Sequence, residues 1–155
     1  VDLKIDYRLV GTGWADCALK SGDLSCRITA SYLSDALGDL VLAALAAVRG
    51  FRAIAFSFEE EPGEYRWVIT TPRMNEVDIA ILEFDDLYAD KPDSEGRCLF
   101  KVRCRPSVFA QAVADAAKAA LDAHGESGYR ETWGEHPFPA AAFSELTSAL
   151  ARARY

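Results

Sequence analysis

Long apolar runs are missing from this chain, and so are the residue spacings from which catalytic and metal sites are usually recognised. No stretch approaches the ~20 consecutive apolar residues needed to cross a bilayer. The first ten residues, Val1 to Val10, alternate apolar with charged side chains and read as a strand rather than a signal peptide. The chain starts at Val1 without an initiator methionine, which leaves room for residues upstream. There are only two histidines, His124 and His136, and neither falls in an H-E-x-x-H or Cys–His spacing. No G-x-S-x-G elbow occurs, and Gly11-Thr12-Gly13 has Asp16 where a dinucleotide fingerprint needs its third glycine. Neither a cofactor nor a metal is therefore expected.

Positive charge is the scarcer sign. Seventeen Lys and Arg stand against 24 Asp and Glu, a net charge of −7. Such a balance repels phosphate backbones and anionic lipid surfaces and attracts basic proteins. The expectation is a protein partner, with no nucleic acid and no membrane. There is no repeat, low-complexity tract or linker, so residues 1–155 are read as one domain.

The four cysteines alternate in phase with apolar residues. Cys17 and Cys26 share a face with Leu19, Leu24 and Ile28, and Cys98 and Cys104 run in phase with Phe100 and Val102. Cysteines placed this way act as small hydrophobes, and reduced thiols point to a cytoplasmic setting. A turn with Ser21-Gly22 as its two-residue loop sets Cys17 opposite Cys26, close enough for a disulfide as the competing reading.

A second turn, Glu61-Pro62-Gly63-Glu64, sets Phe58 opposite Trp67, Phe56 opposite Ile69 and Glu59 opposite Arg66. Strands are expected over 1–9, 14–19, 24–30, 52–59, 64–70, 76–84 and 97–105. A helix over 33–49 takes Ser31 or Ser34 as its N-cap, with Leu33, Leu37, Leu40, Val41, Ala44 and Val48 in its core stripe and Leu42 and Leu45 widening it. A second helix runs from Pro106 to His124, an irregular segment covers 126–138, and a last helix spans 139–152. The order βββ-α-ββββ-αα indicates an α+β fold: a single, mainly antiparallel sheet of six to seven strands with helices on one face.

Four features compete for a functional role. The hairpin tip carries Glu59, Glu60, Glu61 and Glu64, either an acidic prong for a basic partner or a charged tip that deters aggregation. The loop after the 76–84 strand carries Asp85 and Asp86, without the regular oxygen-ligand spacing of a calcium loop. If Asp78 points outward, Leu82 and Phe84 share its face, and with Leu99 they form an apolar strip framed by charges. That strip is a partner or homodimer surface, or else it is covered by the chain itself, with 126–138 as the candidate cover. Finally, Tyr129, Trp133, Glu135 and His136 lie in an aromatic segment that either plugs the core or forms a lid.

The leading expectation is a non-enzymatic, acidic protein-binding module. It would act as an adaptor or an immunity-type neutraliser of a basic partner, a comparison of size and charge alone. Carboxylates at 59–61, 64, 85 and 86 would steer association while Leu82, Phe84 and Leu99 supply burial. The alternative is a small-molecule-binding or hydrolytic domain whose site lies between the sheet and 126–138. It requires His136 to converge with Asp85 and Asp86.

Overall fold

Seven strands and three helices follow one another in the computed structural model, which describes residues 1–60, 62–87, 90–134 and 136–153. The order is β1 (Lys4–Val10), β2 (Trp14–Ser21), β3 (Leu24–Ser31), α1 (Ala36–Val48), β4 (Ala53–Glu59), β5 (Glu64–Arg73), β6 (Glu76–Phe84), β7 (Arg97–Cys104), α2 (Pro106–Trp133) and α3 (Ala140–Ala153). The class is α+β with antiparallel pairing throughout, but the strands form two sheets: β1-β2-β3 and β4-β5-β6-β7. The expectation of one sheet fails between β3 and β4. Those strands are joined through a helix, and a helix-length connection, unlike a tight turn, does not dictate where the next strand pairs. The two sheets nevertheless close one core, with the Tyr7 and Phe58 rings meeting edge to face at 6.3 Å.

Both hairpins are offset by two residues from the expected registers. In β2–β3, Cys17 faces Ile28 and Leu19 faces Cys26, because Gly22-Asp23 is the loop. Gly22 takes φ 57° at the first loop position, where a type II′ turn demands positive φ. Ser21 is thereby drawn into the strand, and its Oγ donates to the Asp2 carbonyl at 2.6 Å. All four cysteines are free thiols. In β4–β5, Phe58 faces Tyr65, Phe56 faces Trp67 and Glu59 faces Glu64. There the strands are closed by the Glu60 N–H donating to the Gly63 carbonyl at 2.9 Å. A two-residue offset leaves every side chain on its original face, so the apolar faces survive the change of partners. Phe56 stacks on Trp67 at 5.5 Å, and Phe58 lies 5.2 Å from the same ring.

Helix α1 is buried around most of its circumference, with Leu37, Leu40, Val41, Ala44 and Leu45 in the core and Leu42 exposed. Its N-cap is Asp35, whose side chain accepts the Gly38 N–H at 3.3 Å, rather than Ser31 or Ser34. Ser31 instead donates through its Oγ to the Glu59 carbonyl at 2.8 Å, which ties β3 to the end of β4. Alanines on α2 allow it to pack closely against both α1 and β1.

The expected irregular segment after His124 is largely helical. Gly125, at φ 67°, breaks the helix axis, and a second helical stretch runs on to Trp133. One turn apart on that stretch, Tyr129 and Trp133 sink into the core at 0% and 1% exposure. Tyr129 meets Phe138 edge to face at 5.6 Å. These two rings are core plugs, not the wall of an open pocket.

Strand β6 lies between β5 and β7, and part of its second face is covered too. Leu82 and Phe84 are 8% and 4% exposed. Residues 91–96, with a 3-10 turn at Asp93–Glu95, return over them. A Cβ on Gly96 would stand 2.7 Å from Phe84 Cζ and 2.9 Å from Leu82 Cβ. The Arg66 guanidinium lies over the Phe84 ring at 4.1 Å, held by the Lys91 carbonyl at 2.7 Å and Asp93 at 2.9 Å. The cover of the apolar strip is therefore this loop, not 126–138. A bulge completes the change: Ile81 faces Phe100 while Leu82 faces Cys98, leaving Leu99 as the extra residue. Leu99 consequently packs half-buried against the core, and Cys98 turns outward and is exposed.

Candidate functional site

Three strand ends and the start of α1 meet at one end of the molecule. β4 ends at Glu59, β5 begins at Glu64, β6 ends at Phe84, and Asp35 caps α1. The β4–β5 turn docks on the chain leaving β6. The Leu87 N–H donates to the Pro62 carbonyl at 2.6 Å, and a Cβ on Gly63 would fall 2.3 Å from the Phe84 carbonyl oxygen. Glu60 and Glu64 are thus brought beside Asp85. Glu61 lies outside the described residues.

These carboxylates are not equivalent. The Glu64 side chain is 11% exposed and paired with Arg66 at 3.1 Å, so it serves the loop cover rather than the solvent. Asp86 holds Lys91 at 3.3 Å across an exposed surface, where such a pair contributes little. Asp85 is exposed, and Glu59 and Glu60 are half-buried. Burial, and after it the neighbouring Glu60 carboxylate, push the Tyr65 phenol's pKa up.

Two further carboxylates join from α1. Burial pushes the Asp39 carboxyl up to about 6; the Asp35 and Glu59 charges add to the shift, and His136 opposes it. Asp35 is raised as well, by burial, against the influence of His136 and the Gly38 N–H. Like charges gathered where water is partly excluded disfavour one another's ionised forms. His136 acts as a counter-group to Asp35 and Asp39. Glu135 lies outside the described residues. Behind this cluster, burial raises the phenols of Tyr7 and Tyr129 strongly, and Asp35 acts on both in the same direction.

Exposed aromatic surface borders the acidic cluster. Val10 faces Trp14 across β1–β2, and Trp14 faces Ser31 across β2–β3, on the outer side of the first sheet. Val10, Trp14 and Tyr32 are 45%, 41% and 51% exposed. The Tyr32 N–H donates to the Gly13 carbonyl at 2.9 Å, and the Gly13 N–H donates to the Thr132 carbonyl at 2.8 Å. This ties the aromatic pair to the end of α2 and the approach to His136. Tyr32 also lies three residues before Asp35, and Ser31, the cross-strand partner of Trp14, holds the Glu59 carbonyl, so the strand ends that carry the aromatic pair lead into the carboxylate-bearing end.

Sequence reasoning singled out the acidic tip and Asp85–Asp86, and the fold brings Glu60 and Glu64 together with Asp85. It missed Asp35, Asp39, Trp14 and Tyr32. Signals for them existed: an aspartate just before an apolar helical stripe is a cap, and Trp14 occupies the outward phase of its strand. The apolar anchors named from sequence, Leu82 and Phe84, are occupied by the chain's own loop. The described residues contain no cluster of three or more His, Cys, Asp or Glu arranged to hold a metal. Among them, no helix is long and apolar enough to cross a membrane. The chain matches no family model, no curated protein and no solved structure.

Proposed function

We propose that this chain is a protein-binding module whose acidic, aromatic end receives a basic partner polypeptide, in an adaptor or neutralising role. The observation that carries the reading is that half-exposed Trp14 and Tyr32 stand on strand ends tied through Ser31 to Glu59, at the end where Asp35, Asp39 and Glu59 gather. Tryptophan and tyrosine are the side chains most often found anchoring interfaces, and a carboxylate rim draws in and orients arginine- or lysine-rich surfaces. The aromatic faces also suit a guanidinium directly. Compared with the anchors expected from sequence, this pair has the advantage of being accessible without opening the fold.

The test is a comparison of variants on an immobilised surface, using extract from the cells that make the protein. The expected ligand is a basic polypeptide. Its association should slow steeply between about 0.05 and 0.5 M salt. Its retention should fall at least about ten-fold for the Trp14→Ala/Tyr32→Ala double variant. A ligand held equally by that variant, or bound at a salt-independent rate, refutes the assignment.

A further inference from the structure

The opposite end of the second sheet carries the reverse chemistry. A groove of about 460 Å³ is lined by Ala47, Arg52, Pro72, Arg73, Met74 and Pro106, and by one carboxylate, Glu76, which Arg103 approaches at 3.9 Å. Its wall is the β5–β6 hairpin, whose register shifts by one residue between Thr70 and Arg73. Such a bulge re-aims the side chains beyond it. Asn75, at φ 65°, then turns the chain, as asparagine tolerates better than most residues.

Two large apolar side chains are presented at this end: Met74 is 95% exposed and Phe51 is 61% exposed. The Phe51 carbonyl accepts from Thr71 Oγ1 at 3.1 Å, which fixes that residue beside the groove. Around them lie arginines in two states. Arg49 is paired with Glu145 at 3.1 Å, and Arg103 grips Asp78 through two bonds of 2.6 and 2.9 Å and reaches Glu76 at 3.9 Å. Arg52, Arg73 and Arg105 are exposed, and none has an ion pair among the described residues. Arg52 and Arg73 line the groove, and Arg105 immediately precedes its Pro106. In a chain of net charge −7, three exposed guanidiniums left unneutralised at one end, beside an almost fully exposed methionine, are not explained by folding.

We propose that this groove docks an acidic segment of a partner polypeptide. One apolar side chain would sit against Met74, Pro72 and Pro106, with carboxylates on Arg52, Arg73 and Arg105. Charge complementarity selects the occupant: planar guanidiniums take carboxylates in bidentate fashion, and methionine adapts to apolar side chains of varied shape. The site is independent of the acidic end.

The test uses the chain's single methionine as the reporter. With a 13C-labelled methyl group, Met74 gives one resonance from the centre of the site. The probe is a capped octapeptide of glutamates around one leucine; the lysine version of the same peptide and an oligothymidylate of eight residues are controls. Saturable movement of the Met74 resonance is expected with the glutamate peptide, at a Kd on the order of 0.1–1 mM. Arg52→Glu/Arg73→Glu should weaken it at least about ten-fold. Arg52→Gln/Arg73→Gln provides the same test should the charge reversal disturb folding, which circular dichroism would show. No movement at millimolar peptide, or an equal response to the lysine peptide, overturns the proposal. An equal response to the oligothymidylate overturns it in favour of phosphate recognition. Movement with protein concentration alone overturns it in favour of a second copy of the chain.

Discussion

Replacing Phe84 by alanine separates a covered strip from a docking surface. Phe84 is 4% exposed at the end of β6, with the Arg66 guanidinium 4.1 Å above its ring and Gly96 packed so tightly that no Cβ fits. Removing a buried phenylalanine costs about 3–5 kcal/mol through lost transfer energy and the cavity left behind. A loop can settle into such a cavity more readily than a closed core, which favours the low end. Loss of the cation–π contact adds about 0.5–1 kcal/mol. The expected destabilisation is therefore about 3–4 kcal/mol, or roughly 6–15 °C in Tm for a chain of this size.

The assay is urea unfolding followed by tryptophan fluorescence, since Trp67 is fully buried on the neighbouring strand. It is paired with light scattering and amide exchange. The Leu87 N–H, bonded to Pro62 at 2.6 Å, and the Gly96 N–H, bonded to Asp93 at 3.0 Å, should lose protection before the rest of the sheet. A loss below about 1 kcal/mol would refute the reasoning. So would a wild-type dimer that the substitution turns into a folded monomer. Either result would mean the strip is surface, available for self-association.

Further outcomes follow from the same geometry. Gly63→Ala forces a Cβ to 2.3 Å from the Phe84 carbonyl oxygen, against backbone that cannot swing away. It should cost about 2 kcal/mol or more in urea unfolding, and a neutral result would place the turn elsewhere. Ser31→Ala deletes the bond from a 2% exposed hydroxyl to the Glu59 carbonyl and should cost about 1–2 kcal/mol in the same experiment. Cysteine-directed alkylation of the native protein should modify exposed Cys98 first. Burial pushes the Cys26 and Cys104 thiols up to about 11 and the Cys17 thiol higher still, which keeps them un-ionised at neutral pH. Early modification of Cys17 would contradict the observed packing.

The sequence made the faces of the sheets legible and left their assembly obscure, for a physical reason. Alternation has a period of two, so Trp67, Ile69, Ile79 and Ile81 could be assigned to an inner face whatever the register of their strands. Register itself turned on where each turn began. The choice of Ser21-Gly22 or Gly22-Asp23 as the loop rests on a single φ angle, and both are plausible turn sequences. The split into two sheets, the bulge at Leu99 and the loop over Phe84 are tertiary outcomes with no local signature. For the candidate site, the acidic tip was legible because Glu59 and Glu60 are consecutive. Asp35 and Asp39 were hidden because each has an unremarkable local role, as a cap and as a first-turn acid. Only folding places them with Glu59.

That placement works against stability, which bears on function. The folded state raises the Asp39 carboxyl from its ordinary 3.8 to about 6. Below pH 4 both folded and unfolded chains hold this proton, and the group has no effect on folding. Between about pH 4 and 6 the unfolded chain releases it first, so stability falls as pH rises. Above pH 6 the folded state carries the whole penalty of an ionised Asp39. Asp39 is half-exposed, so solvent screening reduces this penalty to the order of 1 kcal/mol. Asp39→Asn should flatten the fall in stability between pH 4 and 6 and stabilise the protein at pH 7 by a similar amount. An unchanged pH profile would show that Asp39 titrates normally. If the substitution stabilises the fold while weakening capture of a basic partner, the carboxylate is retained for binding and not for folding. If it stabilises the fold and leaves capture intact, the acidic end loses its claim to the interface.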